Sequence, residues 1–251
     1  MVDTAHELKF PFLAGSSLPV TWRMPAIDMP LDAEAEEMMC VAFGKVDLYD
    51  FHALEVIQCM AERRRGGETG VANVQALRGD SVWQAMEQKS WVAGGWDPAL
   101  LASCLSRSHT LAQPSDFSHR YPTVAQMQEL VKEPIAYRFE YGDGLKATML
   151  LLNGLVNDFT FAARLKNRAE PLSTLFHLPP TPNVVYSAAL MSQAEQMFIT
   201  GRAPYPVERT LLTTGLVAAG MQSLAADGKR LDTPHLAVQY QAPKQSSFWQ
   251  D

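Results

Sequence analysis

The chain has 251 residues, of which 47% are hydrophobic and 19% charged, and its formal net charge is −6. That much apolar material fills one large core or two small ones, which excludes global disorder. The acidic balance, with one concentrated positive run at Arg63, Arg64 and Arg65, speaks against a nucleic-acid partner. Cys40, Cys59 and Cys104 are odd in number and lack paired metal-type spacing, which predicts reduced thiols in a cytoplasmic protein.

Val2, Ala5 and Leu8 keep helical spacing and run into a strand-like stretch at residues 10–14, with Gly15 behind it. This reads as a helix-strand unit whose sheet neighbours lie upstream. The following SSLPVTWRMPAIDMP is rich in turn-formers and predicts an irregular loop at the strand's C-terminal end, where α/β folds place ligands. Trp22 and Arg23 either line a pocket there or plug a gap beneath the loop. No apolar stretch approaches the roughly 20 residues needed to cross a bilayer, and no basic-then-apolar leader follows Met1.

Residues 36–43 form the next predicted strand, followed by Gly44 and the helix within VDLYDFHALEVIQCMAERRRGG. Leu54, Ile57 and Ala61, with Phe51 and Met60 beside them, make its core-facing stripe. His52, Glu55, Cys59 and Glu62 make the opposite stripe, which faces solvent, a cleft or a partner. Asp47 or Asp50 suits the N-terminal cap, and the arginines and Gly66-Gly67 suit the carbonyl-rich end.

Residues 71–77 alternate as a strand. Ser81 with Gln84 predicts a capping box opening a short helix through Lys89, and Asp97-Pro98 opens another through Leu105; together they form an inserted layer. Residues 107–121 read as a surface loop in which His109 and His119 are solvated. Residues 123–132 form a short helix.

Residues 135–141 and 145–152, joined through Gly142-Asp143-Gly144, form a hairpin whose second strand is apolar on both sides. Residues 159–165 alternate as a further strand. Prolines keep LFHLPPTPN, with His177, as an extended rim. Two helices follow, at residues 186–199 and 206–228, and residues 236–240 close the chain as a strand.

The segment AEQMFITGRAPYPVERTLLTTGLVAAGMQSLAADGKRLDTP resembles the closing helices of the glucose-fructose oxidoreductase, inositol dehydrogenase and rhizopine-catabolism dehydrogenase family. AHELKFPFLAGSS resembles the last helix and strand of that family's nucleotide-binding domain. DLYDFHALEVIQCM resembles its Asp-x-Gly-x-His-x-x-Asp stretch. The resemblance implies an α+β fold with an open, mainly antiparallel sheet covered on one face by helices, preceded by the remnant helix-strand of a Rossmann-type domain. Residues 1–30 would be that remnant and linker, and residues 31–251 a substrate-binding and oligomerisation domain; the two-sided apolarity of residues 149–152 and the alternation of Phe159 and Phe161 predict that the other sheet face packs against a second copy.

By position, His52 matches the family's catalytic histidine and Glu55 its second carboxylate. Leu48 stands in place of the usual aspartate and Asp50 in place of glycine, so Asp50 or Asp47 takes the carboxylate role from a shifted position. Trp22 and Arg23 are the candidate substrate-binding residues. No G-x-G-x-x-G segment follows a strand, and the family's Glu-Lys-Pro segment is missing. The chain therefore reads as the C-terminal portion of a longer protein: NAD or NADP is implied for the parent, and none is expected to bind this chain alone.

Three functions stay open. One is the substrate-binding portion of a sugar or polyol oxidoreductase, with His52 as acid/base and a small polyol as partner. Another is a non-catalytic binding or scaffold domain of the same fold. The third is a metal-dependent isomerase or hydrolase using His52 and Glu55 at i, i+3.

Overall fold

The computed structural model describes residues 1–113, 122–179 and 184–250. Its strands are β1 (Trp22–Met24), β2 (Ala35–Ala42), β3 (Val71–Arg78), β4 (Ile135–Tyr141), β5 (Lys146–Leu151), β6 (Phe159–Leu165), β7 (Leu172–His177) and β8 (Leu231–Asp232). The helices are α1 (Val2–Leu8), α2 (Tyr49–Ala61), α3 (Asp80–Glu87), α4 (Pro98–Arg107), α5 (Val124–Leu130), α6 (Val184–Thr200) and α7 (Glu208–Ala225). The described residues form an α+β fold with one mixed sheet of eight strands, ordered β1-β7-β6-β2-β5-β4-β3-β8. Neighbours pair antiparallel except β2 and β5, which run parallel with Met39 opposite Thr148.

The pleat divides β2 between two cores. Met38, Cys40 and Ala42 face one side with Tyr137, Phe139, Met149 and Phe161, covered by α2 and α7 through Leu54, Ile57, Leu212 and Leu216. Met39 and Val41 face the other, under Trp83, Met86, Trp96, Leu100 and Met127. The expectation of helices on one face only is therefore corrected. The layer inserted between β3 and β4 folds back over the second face, because that face is apolar along β2, β5 and β6 and its own chain supplies the cover. The face assigned to a second copy is occupied. Asn153 clamps the parallel pair at the end where α2 begins: its side chain accepts from Gly44 N–H at 2.7 Å and donates to Gly44 C=O at 2.9 Å.

Several local expectations change. Residues 10–14 form no strand; Pro11 lacks an N–H and the stretch has no ladder partner. Instead Trp22–Met24, expected as loop, pairs with β7 at the sheet edge. Strand β7 lies where a rim was expected and ends before the prolines begin. At the C-terminus a 3-10 turn at Pro234–Leu236 and the short β8 replace the expected strand, and Tyr240 keeps one bridge to Glu68. The Ser81 capping box does not form, since Gly79 occupies the cap and the Ser81 hydroxyl donates to Arg78 C=O at 2.8 Å. The Thr123–Gln126 box opens α5 instead. His119 lies outside the described residues. No described helix is long and apolar enough to cross a membrane.

Candidate functional site

Helix α2 follows β2 through Gly44 and a left-handed Asp47 (φ 61°), which turn the chain back over the sheet. Asp50 sits in its first turn, fully buried, and its carboxylate accepts from the backbone N–H of Leu48 at 3.1 Å and of Phe51 at 2.9 Å. The other oxygen accepts from the Tyr137 hydroxyl at 3.0 Å. Asp50 thus serves the helix end and fixes α2 onto β4.

His52, two residues on, is half-buried among the rings of Tyr49, Phe51 and Phe159, which meet it edge-on. Its Nδ1 lies 2.7 Å from Ser16 Oγ. Burial holds the imidazole below its ordinary value, and the Asp50 charge offsets part of that shift. Glu55, one turn along, is fully buried. Its carboxylate accepts from Ser16 N–H at 3.3 Å, Thr213 Oγ1 at 2.6 Å and Thr210 Oγ1 at 3.3 Å. Burial raises its pKa, while Arg209, the Thr213 hydroxyl and the Ser16 amide pull it down.

The stripe expected to face solvent, a cleft or a partner is instead largely enclosed, because α7 and residues 14–16 close over it. Behind Glu55, Glu62 takes a two-point ion pair from Arg209 at 2.8 and 2.6 Å, plus the Tyr240 hydroxyl at 2.8 Å. Further along, Gln58, Glu68, Arg64 and Tyr141 continue a buried polar chain. Each member has a partner, as burial of charge requires.

The structure brings His52, Asp50 and Glu55 together at one end of α2, with only His52 left partly open. Arg23 lies elsewhere. Its guanidinium is buried between Phe176 and Phe248, paired with Asp28, and touches Cys59 and Met60, about 10 Å along α2 from His52 at 1.5 Å per residue. Trp22, on the opposite side of β1, packs against Trp249 at 5.5 Å between ring centroids. Ser16, Thr210 and Thr213 escaped the sequence reading. The signal for Thr213 was present: it lies one turn from buried Arg209, on the side of α7 that carries Leu212 and Leu216.

Phe159, which meets His52 on one side, also lines a cavity of about 450 Å³ together with Phe43, Asn157, His109 and His177. His109 and His177, read separately from sequence, stand 6.5 Å apart between ring centroids. Burial, then the neighbouring His109, lower the His177 pKa. His52 does not line this cavity. Among the described residues no three His, Cys, Asp or Glu side chains converge as metal ligands.

These residues do not fit a dinucleotide. The α2 N-terminus follows a strand and a glycine, but its Leu48 and Phe51 N–H groups serve Asp50, its Tyr49 N–H serves Lys45 C=O, and the space beside Gly44 is filled by the Tyr49 side chain, so this terminus is not a prepared pyrophosphate cradle.

The His52 shift sets a pH dependence. A histidine whose folded-state value is lowered binds its proton more weakly when folded, so its contribution is intact above about 6.5 and is lost as pH falls below it. Glu55, raised, works in the opposite sense: its contribution is present below the ordinary carboxylate value of 4.5 and lost as pH rises through the folded value. His52→Gln removes only the first effect. Melting temperatures taken from about pH 7.5 to about pH 5 are expected to show the variant gaining on the wild type as pH falls. A gap independent of pH would show that His52 keeps its ordinary value.

No family model matches this chain. No curated protein matches it either. Among solved structures it is similar to myo-inositol 2-dehydrogenase from Lactobacillus plantarum, at 11% identity over 80% of this chain and 57% of that one, with a TM-score of 0.40. It is also similar to aldose-aldose oxidoreductase from Caulobacter crescentus complexed with glycerol, at 12% identity over 79% and 55%, with a TM-score of 0.36. A levoglucosan dehydrogenase in complex with NADH and L-sorbose gives 10% identity over 81% and 59%, with a TM-score of 0.38. The chain spans less than two-thirds of the length of each of these proteins, and at these scores the likeness assigns it neither activity nor ligand.

Proposed function

We propose that this chain is the C-terminal, substrate-binding portion of a sugar or polyol oxidoreductase-like protein, in which His52 meets an oxygen of the substrate. In this reading the residues ahead of β1 are the end of the parent's nucleotide-binding domain and its linker, Trp22–Met24 having joined the substrate-binding sheet, and binding of the nicotinamide cofactor belongs to the parent. The observation that carries it is the Ser16–His52–Glu55 arrangement: a ring anchored at Nδ1, with Nε2 free of protein partners among the described residues and not sealed from solvent. An imidazole held this way exchanges or shares a proton near neutral pH at one defined atom, as interconverting hydroxyl and carbonyl requires. Tyr49 and Phe159 supply apolar walls of the kind that pack against a sugar ring.

A serine hydrolase is less well supported. Ser16 is buried, and Asp50, the acid nearest in sequence, is engaged by Tyr137 and the backbone rather than by the ring. The non-catalytic binding domain is favoured by one feature, the replacement of the family aspartate by Leu48, which is 61% exposed and carries no charge.

The test is titration of isotope-labelled chain with myo-inositol, following the His52 imidazole resonances. We expect them to move, and His52→Asn to weaken binding by about two- to tenfold, the worth of one hydrogen bond. Resonances that stay fixed up to about 10 mM ligand, roughly −3 kcal/mol of binding, would refute the reading.

A further inference from the structure

The Ser16 hydroxyl stands at the junction of two hydrogen bonds. Leu18 N–H donates to Ser16 Oγ at 3.1 Å, and His52 Nδ1 lies 2.7 Å from the same oxygen. A serine hydroxyl has one proton to give and two positions at which to accept. Leu18 fills one of these positions. If the neutral ring carried its proton on Nδ1, that N–H would fill the second, and the Ser16 proton would find no acceptor among the described residues. Ser16 is only 2% exposed, so water is a poor substitute. With Ser16 O–H donating to a bare Nδ1, every group at the junction is satisfied, and the ring proton stands on Nε2.

The backbone at Ser16 is fixed for this task. Glu55 Oε2 accepts the Ser16 N–H, and its Oε1 is held by Thr213 on α7. Gly15 makes the approach at φ +131°, where a Cβ would lie 2.8 Å from both Glu55 Oε2 and Thr210 Oγ1. Chain reversal, carboxylate and hydroxyl therefore act as one support for the ring.

We infer that Ser16 is a positioning residue that holds neutral His52 in its Nε2–H form, so that the site offers a hydrogen-bond donor to an oxygen atom of its ligand. For the ring to offer a lone pair at Nε2 instead, its proton must pass to Nδ1 and the Ser16 hydroxyl must turn away from its acceptor. The site is thus built to grip a carbonyl or hydroxyl oxygen first, and to take up a proton only with a movement of Ser16. The role toward a ligand rests on the reading of His52 given above; the tautomer does not.

The experiment is long-range proton–nitrogen correlation of the His52 ring at a pH where it is neutral, in wild type, Ser16→Ala and Ser16→Thr, with assignment by loss of the signal in His52→Asn. We expect a bare Nδ1 and a protonated Nε2 as a single form in the wild type. Ser16→Ala should give averaged shifts with the Nδ1–H population several-fold higher, and Ser16→Thr, which keeps the hydroxyl, should restore the wild-type pattern. A wild-type ring protonated at Nδ1, or shifts unchanged in Ser16→Ala, would overturn the assignment. A ring found as Nε2–H that no polyol perturbs upholds Ser16 and refutes the proposed ligand. A polyol binding to a ring protonated at Nδ1 does the reverse.

Discussion

Replacing Arg209 by methionine is expected to cost about 3–5 kcal/mol, lowering the melting temperature by roughly 6–20 °C for a chain of this size. The methionine keeps much of the apolar stem and removes the guanidinium, which stacks over the Tyr205 ring 4.4 Å from its centroid. Glu62 would then remain buried with the Tyr240 hydroxyl and without its cation. Both members of the pair are about fully enclosed, with 2% and 1% of their side chains exposed, so water cannot take the place of the guanidinium. Replacing Glu62 by glutamine as well should recover much of the loss, because a buried carboxylate without a cation is costlier than a neutral amide. The same substitution acts on the site through Glu55, whose pKa Arg209 helps to lower. Without that charge Glu55 should hold its proton to higher pH. Thermal or urea denaturation of the two variants measures this, and a loss below about 1 kcal/mol would place the pair in the weak class of solvated ion pairs.

Trp96→Ala should be comparably damaging, at about 3–5 kcal/mol, for a different reason. Trp96 is 1% exposed and lies in the inserted layer just ahead of α4, sharing one core cluster with Met39, Val41 and Ala162 of the sheet. Its removal leaves a cavity that the neighbouring strands cannot close. The Asp97 cap on Ala99 N–H and the Asp97–Arg164 pair would still hold the start of α4, so the change reports on packing. Urea unfolding gives the magnitude. A cost under about 1 kcal/mol would mean that this layer does not seal the second sheet face and that the face is open to a second copy after all.

Much of the secondary structure was legible in the sequence because its causes are local. The β4–β5 hairpin, β6, α2, α4 and α7 follow from periodicity, a glycine turn and a capping aspartate, each acting within a few residues. His52, Asp50 and Glu55 could be picked out as neighbours for the same reason, since they share two turns of one helix. Elements with weak local preference were misread: β1 is three residues long and exists through its pairing with β7, and residues 10–14 look strand-like but meet no edge.

Which stripe of α2 is closed, and what closes it, depends on contacts made far along the chain. Amphipathic spacing separates apolar from polar positions, but it cannot tell that Arg209, Thr210 and Thr213, more than 140 residues away, satisfy Glu55 and Glu62 and so allow them to be buried. Nor could it show Ser16 reaching His52 across 36 residues. Local periodicity and capping are enough to form α2 and to set His52, Asp50 and Glu55 along it. Long-range hydrogen bonds and ion pairs, whose strength depends on exclusion from water and not on spacing along the chain, enclose Glu55 and Glu62 and leave His52 half-buried.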